Sequence, residues 1–179
     1  MLYTQTEAYG HKGEEKYVKS IEQYHCNIEV SNQVLSKESV VSMEDNKEGG
    51  IVKKGHDDGM KMAVSLLREF ELPEGLLPLA DVVEVGYVKG TGYMWIVQQK
   101  KVEHEFKMIS KLVSYDTEIK GFVDKKRIKK LKGVKAKELM LWPPVSEITI
   151  DDKQPGKIHF KSLAGITKTF PVEAFAAGQ

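Results

Sequence analysis

The pattern of hydrophobic and polar positions divides the chain into three stretches. Residues 1–56 are polar and poor in large aliphatic side chains, with Tyr17, Val18, Ile21, Tyr24 and Ile28 forming one weak helical stripe. The stripe allows a short amphipathic helix near residues 14–30. Ser31 to Gly55 mixes charge with Glu48-Gly49-Gly50 and Lys53-Lys54-Gly55, and reads as a flexible tether. The expectation for 1–56 is a polar, partly disordered or weakly helical extension. A helical period then begins: Met60, Ala63, Val64, Leu67 and Phe70 recur at spacings of three and four. This predicts a helix over about 57–70, with Asp57 or Asp58 as its N-cap. Pro73 bars continuation, Gly75 offers a turn with positive φ, and Leu76-Leu77-Pro78-Leu79 is an apolar plug expected to seal the open end of a sheet.

From Val82 onward alternation replaces the helical period. Val83, Val85 and Tyr87 share one face, Lys89-Gly90-Thr91-Gly92 makes a hairpin turn, and Tyr93, Trp95 and Val97 return. Gly90-Thr91-Gly92 lacks the helix and lysine that follow a phosphate-cradling loop, so the turn is the reading. Val102, His104, Phe106 and Met108 alternate with Glu103, Glu105 and Lys107. Val113, Tyr115, Thr117 and Ile119 alternate with Ser114, Asp116, Glu118 and Lys120, and a lysine-rich charged loop follows over 124–137. Leu139-Met140-Leu141-Trp142 is apolar on both faces, which predicts a central or covered segment, broken by Pro143-Pro144. Ile148 and Ile150, the turn Lys153-Gln154-Pro155-Gly156, Ile158 and Phe160, and then Ile166, Lys168 and Phe170 complete the pattern. Such short, regularly punctuated strands predict a mainly β domain over 57–175. It is expected to be an antiparallel β-barrel or sandwich of about eight strands, capped by one N-terminal helix.

Composition narrows the class without choosing a chemistry. A chain of 179 residues with 41% apolar content buries one core of ordinary size. A net charge of +1 predicts no global attraction to nucleic acid or to anionic membrane. The lone Cys26 excludes an internal disulfide and a cysteine-rich zinc site. No apolar run reaches membrane-span length, and neither a signal peptide nor an Asn-x-Ser/Thr sequon is seen, so a cytoplasmic location is expected.

Candidate chemistry is sparse. There is no Gly-x-Ser-x-Gly elbow, and His104 is the one histidine on an apolar strand face. It reads either as a core histidine satisfied by a carbonyl or hydroxyl, or as a weak candidate base with Ser110, Ser114 or Thr117 nearby. His159 alternates outward with Lys157 and Lys161. No spacing suggests a metal site, and no cofactor is implied. From Lys100 to Lys137 thirteen Lys and Arg stand against five Asp and Glu, leaving the remainder of the chain acidic. The densest part, 125–132, begins Lys125-Lys126-Arg127. It reads as a solvated loop, as a localisation signal, or as a site for an anionic head group. Tyr87, Trp95, Phe106, Tyr115 and Trp142 are expected on inward faces, where they either fill the interior or leave a pocket for one apolar ligand. These five aromatics, with His104, Lys125, Lys126 and Arg127, are the candidate ligand-binding residues.

Several less common words carry a family resemblance. They are Leu66-Leu67-x-x-Phe70-x-Leu72-Pro73-x-Gly75-Leu76-Leu77-Pro78, Glu84-Val85-Gly86-Tyr87, Thr91-Gly92-Tyr93-x-Trp95 and Lys111-Leu112-Val113-Ser114-Tyr115. Gly133-Val134-Lys135-Ala136-Lys137-Glu138-Leu139-x-Leu141-Trp142 and Ser146-Glu147-Ile148 complete the set. Over residues 57–175 the chain resembles the plant domain of unknown function 538 (DUF538) family. The resemblance implies a β-rich barrel or sandwich likened to the lipid-binding bactericidal permeability-increasing proteins. It also implies a plant protein linked to stress responses and trichome development, binding of lipid-like amphiphiles, and hydrolysis of chlorophyll esters. Many such proteins carry a secretory signal that is not seen here, and no family-wide catalytic set transfers. The expected function is binding of an amphipathic lipid-like ligand in the β-barrel. The alternatives are a weak carboxylesterase acting on hydrophobic esters, or a non-enzymatic interaction module presenting a sheet edge or the basic loop.

Overall fold

The computed structural model of the chain describes residues 45–178, and the helix expected near 14–30 lies outside them. From Asn46 onward the chain forms one unit. Its elements are β1 (Ile51–Lys54), α1 (His56–Glu69), β2 (Val82–Val88), β3 (Tyr93–Gln98), β4 (Val102–Phe106), β5 (Lys111–Asp124), β6 (Arg127–Ala136), β7 (Val145–Ile150), β8 (Lys157–Ser162) and β9 (Thr167–Pro171). All strands join one antiparallel sheet, ordered β1-β2-β3-β5-β6-β7-β8-β9, with β4 paired to β5 off that path. The expected mainly β, antiparallel class with one preceding helix holds. The path ends at β1 and β9, so the sheet does not close into a barrel. Among the described residues no helix is long and apolar enough to cross a membrane.

The organising strand is β5. At fourteen residues it is long enough to serve two partners along one edge: β4 pairs with Lys111–Tyr115 and β3 with Glu118–Phe122, while β6 runs along the other edge. The main core lies on one face, where Leu66 and Leu67 of α1 share a cluster with Val85, Ile119, Ile148 and Phe175. Leu76, Leu77 and Leu79 are buried there too, and the Leu76 carbonyl accepts a 3.0 Å bond from the Tyr115 hydroxyl. A smaller cluster of Val88, Tyr93 and Trp95 lies apart from it. β3 is therefore buried on both sides.

Several local expectations are corrected. Residues 51–54 are not a tether: they pair with 84–87 as β1, so the folded unit begins before residue 57. Helix α1 is capped by Gly55, with Asp57 and Asp58 in its first turn, where carboxylates still complement the dipole. It ends with Leu72 N–H on the Leu67 carbonyl and Glu71 N–H on that of Arg68, a Schellman closure in which Glu71 (φ 55°) is the left-handed residue. Gly75 serves close approach instead, since a Cβ there would lie 2.3 Å from the Ala176 carbonyl oxygen. Val83 is exposed because a bulge between Val82 and Glu84 turns Val82 to the core. β4 ends at Phe106, leaving Met108 exposed in a 3-10 turn. The charged loop is a hairpin whose second arm is β6. Leu139-Met140-Leu141 is neither central nor covered: all three side chains are exposed.

Candidate functional site

Between the ends of β5 and β6 and the run β7–β9, the core leaves a cleft of about 570 Å³. Ile109 and Val113 line it from the β4–β5 side, Ala136 from β6, Val145 from β7, and Phe160 and Ser162 from β8. Ile166, Lys168 and Phe170 line it from the β9 side, and Leu141, Trp142 and Pro143 from the β6–β7 connection. Strand alternation explains these choices, since Phe160 with Ser162, and Ile166 with Lys168 and Phe170, sit two residues apart on one face. Phe175, in the 3-10 turn Val172–Phe175, is the ring the others meet. Its centroid lies 4.6 Å from Phe106, 5.0 Å from Phe160 and 6.4 Å from Phe170.

The wall is otherwise apolar apart from Ser162 and one charged trio. Lys111 Nζ donates to both carboxylate oxygens of Glu138, at 3.1 and 3.3 Å. Lys168 Nζ lies 2.5 Å from Glu138 Oε2. The hydrogen bond from Lys168, with that from Lys111, holds the Glu138 carboxyl below its usual range despite its partial burial. Two ammonium groups thus share one carboxylate, leaving one surplus positive charge in an apolar wall. The site can seat an apolar body and meet an anion at one place.

Among the residues nominated from sequence, Trp142 alone lines the cleft. Its indole is flanked by Lys101 and Lys137, with ammonium groups 5.3 and 5.8 Å from the ring. Tyr87 packs on Phe70 at 5.8 Å, on the α1 side of the core. Trp95 belongs to the smaller cluster, stacked on Tyr93 at 5.8 Å and donating through Nε1 to Glu84 at 2.6 Å. Tyr115 is buried, and burial pushes its phenol far up from the usual value. Phe106 backs the cleft through Phe175. His104 stands edge-on to Phe106 at 4.7 Å. It pairs across the strands with Val113, so Ser114, the next residue along β5, points to the opposite face. Lys125 and Lys126 pair with Glu71, Lys126 also with Asp152 at 2.5 Å, and Arg127 with Glu147.

The residues that sequence reasoning left out are Val145, Phe175 and the trio Lys111, Glu138 and Lys168. One signal was present: Lys168 shares its face with Ile166 and Phe170, and a lysine on an apolar face marks a site where a charge meets a partner. Elsewhere, His159 bridges Thr169 (Nδ1 to Oγ1, 2.7 Å) and Asp151 (Nε2 to Oδ2, 3.3 Å). This hydroxyl–imidazole–carboxylate chain lies on the face opposite Phe160 and Phe170, away from the cleft, and it clasps β8 to β9. Among the described residues no group of three or more His, Cys, Asp or Glu converges as metal ligands would.

No curated protein and no solved structure matches the chain significantly. The profile of a family described as "Protein of unknown function, DUF538" matches residues 63–176, well over half of the chain and the whole of the cleft wall. The chain therefore belongs to the DUF538 family.

Proposed function

We propose that the chain binds an amphiphile, with the apolar part in the cleft and an anionic head at Lys111 and Lys168. The observation that carries this reading is the wall itself: a cleft of about 570 Å³ with aliphatic and aromatic lining, interrupted by two lysines that share one carboxylate. The volume falls within the roughly 300–1,000 Å³ typical of ligand pockets, which combine an apolar lining with a few placed polar groups. An incoming carboxylate or phosphate replaces Glu138 as the partner of the lysines, exchanging one charge-assisted contact for another. The basic hairpin at Lys125–Arg127, by contrast, has its charges already matched by Glu71, Asp152 and Glu147.

The test is displacement of a fluorescent fatty-acid probe by unlabelled fatty acid. Tryptophan emission is followed alongside, since Trp142 lines the cleft while Trp95 sits in the separate smaller cluster. Saturable binding that shifts Trp142 emission is expected. Ala136→Phe fills the cleft from β6 and is expected to abolish binding. Glu138→Gln releases both ammonium groups and is expected to tighten a carboxylate ligand by about 1 kcal/mol, roughly fivefold, without changing its methyl ester. Unsaturable probe uptake, or uptake that Ala136→Phe leaves intact, would overturn the reading.

A further inference from the structure

The cleft opens through a rim with an unusual composition. Glu138 and Leu141 exchange both backbone hydrogen bonds at 2.9 Å, closing a two-residue hairpin tip of Leu139-Met140. Leu139 adopts φ 55°, the left-handed conformation that such tips normally give to Asn, Asp or Gly. Leu139 is 94% exposed, Met140 92% and Leu141 72%. On the facing side the β8–β9 turn adds Leu163 at 71% and Ile166 at 64%. The turn is tied to the other side by a 3.0 Å bond from Leu163 N–H to the Pro144 carbonyl, and by the Lys168–Glu138 pair. Leucine at the tip costs backbone strain and also places a large apolar side chain in water, and among the described residues no contact compensates for either.

Lysines punctuate these apolar tips. Lys137 precedes the first tip by two residues, Lys161 precedes Leu163 by two, and Lys168 follows Ile166 by two. Lys111 and Lys168 line the cleft with Glu138, and the ammonium groups of Lys101 and Lys137 flank the Trp142 ring; against the carboxylates of Glu138 and of Glu103, which pairs with Lys101, these four lysines leave a net of +2. Trp142 lies half-buried just behind the first tip, between Lys101 and Lys137. Apolar side chains that project past a ring of lysines, with an indole at their base, match the boundary between acyl chains and anionic head groups. A second copy of the chain matches poorly, because a twofold contact would set the +2 rim against itself.

We propose that this rim is a docking surface for an anionic lipid bilayer, with Leu139, Met140 and Leu163 entering the head-group layer and Lys101 and Lys137, which flank Trp142, contacting the phosphates. The surface is distinct from the contents of the cleft and stands whether or not the cleft takes a ligand.

The test is co-sedimentation of the full chain with phosphatidylcholine vesicles and with vesicles containing about one-third phosphatidylserine. The double variant Leu139→Gly with Met140→Asn removes the apolar tip while placing glycine at the one tip position with positive φ, so its unfolding midpoint is expected to equal or exceed the wild type. Partitioning onto anionic vesicles is expected to be roughly tenfold stronger than onto neutral ones, and the double variant is expected to lose about that factor. Lys101→Glu with Lys137→Glu should weaken binding to anionic vesicles only. A wild-type chain that stays off both vesicle types, or that binds both alike, overturns the proposal, as does a folded double variant that binds as well as the wild type. A wild-type dimer that the tip variant converts to a monomer, without vesicle binding by either, also overturns it and assigns the surface to self-association.

Discussion

Gly86 and Trp95 are direct cross-strand partners on β2 and β3, and the indole lies flat over the place where a side chain would begin. A Cβ at Gly86 would come within 2.0 Å of the Trp95 ring. Neither residue can change alone. Gly86→Ala is expected to cost at least the roughly 1–3 kcal/mol typical of overpacking, read as a lower urea midpoint with unchanged slope. An unchanged midpoint would mean that the indole has room to move aside. In the sequence, Trp95 looked like an inward aromatic because Tyr93, Trp95 and Val97 alternate cleanly. Alternation gives the face a residue shares but not which face holds the larger core. Here the other set, Met94 and Ile96, joins the main cluster. Tyr87, Phe106 and Tyr115 do face the main core and yet do not line the cleft, because alternation does not say where along the sheet that core stays open.

At the scale of single elements, β6 shows why part of the sheet was not legible. Ile128, Leu131 and Val134 all face the core, at a spacing of three rather than two. Lys130 (φ 48°) and Gly133 (φ 83°) sit in the left-handed region and interrupt the pleat, so a strand carries a period that belongs to neither helix nor sheet. With lysines between the apolar positions, the segment reads as a loop. The Leu139–Leu141 tip misleads in the opposite sense, because continuous apolarity suggests cover and the tip has none. The trio around Glu138 links these elements and gives a pH prediction. Glu138 is depressed in the folded chain, first by Lys168 and then by Lys111. Its contribution is therefore complete above the ordinary glutamate value of 4.5, and it disappears as pH falls through the lowered folded value. Wild type is expected to exceed Glu138→Gln in stability by about 1 kcal/mol at neutral pH, with the gap closing as pH falls from about 5 towards 3. Melting temperatures measured for both proteins across that range check it. A gap that persists in acid would assign the effect to shape rather than charge.

For the whole molecule, turn residues and alternation were enough to give the class: antiparallel, mainly β, one helix in front. They could not give closure, because whether β1 meets β9 depends on how far the sheet bends, a property of no single stretch of sequence. Nor could they give the cleft, whose wall draws on five strands and three connections and whose central ring, Phe175, follows the last predicted strand. β7 is stitched to β6 near one end by Arg127–Thr149 and Ile128–Ile148, and near the other by the Lys135–Pro144 bridge. The cleft lies beside this sparsely paired seam.

The open end of the sheet has a further consequence. Among the described residues β9, which forms one wall of the cleft, has a neighbour on one side only, whereas β5 is hemmed in on both. Backbone amides of β9 should therefore trade their hydrogens with heavy water orders of magnitude faster than those of β5. Mass spectrometry of the two peptides would show this, and slow exchange at β9 would contradict it. A wall paired to one strand rather than two is the side of the cleft that parts most readily, with the Lys168–Glu138 pair as its latch across the mouth.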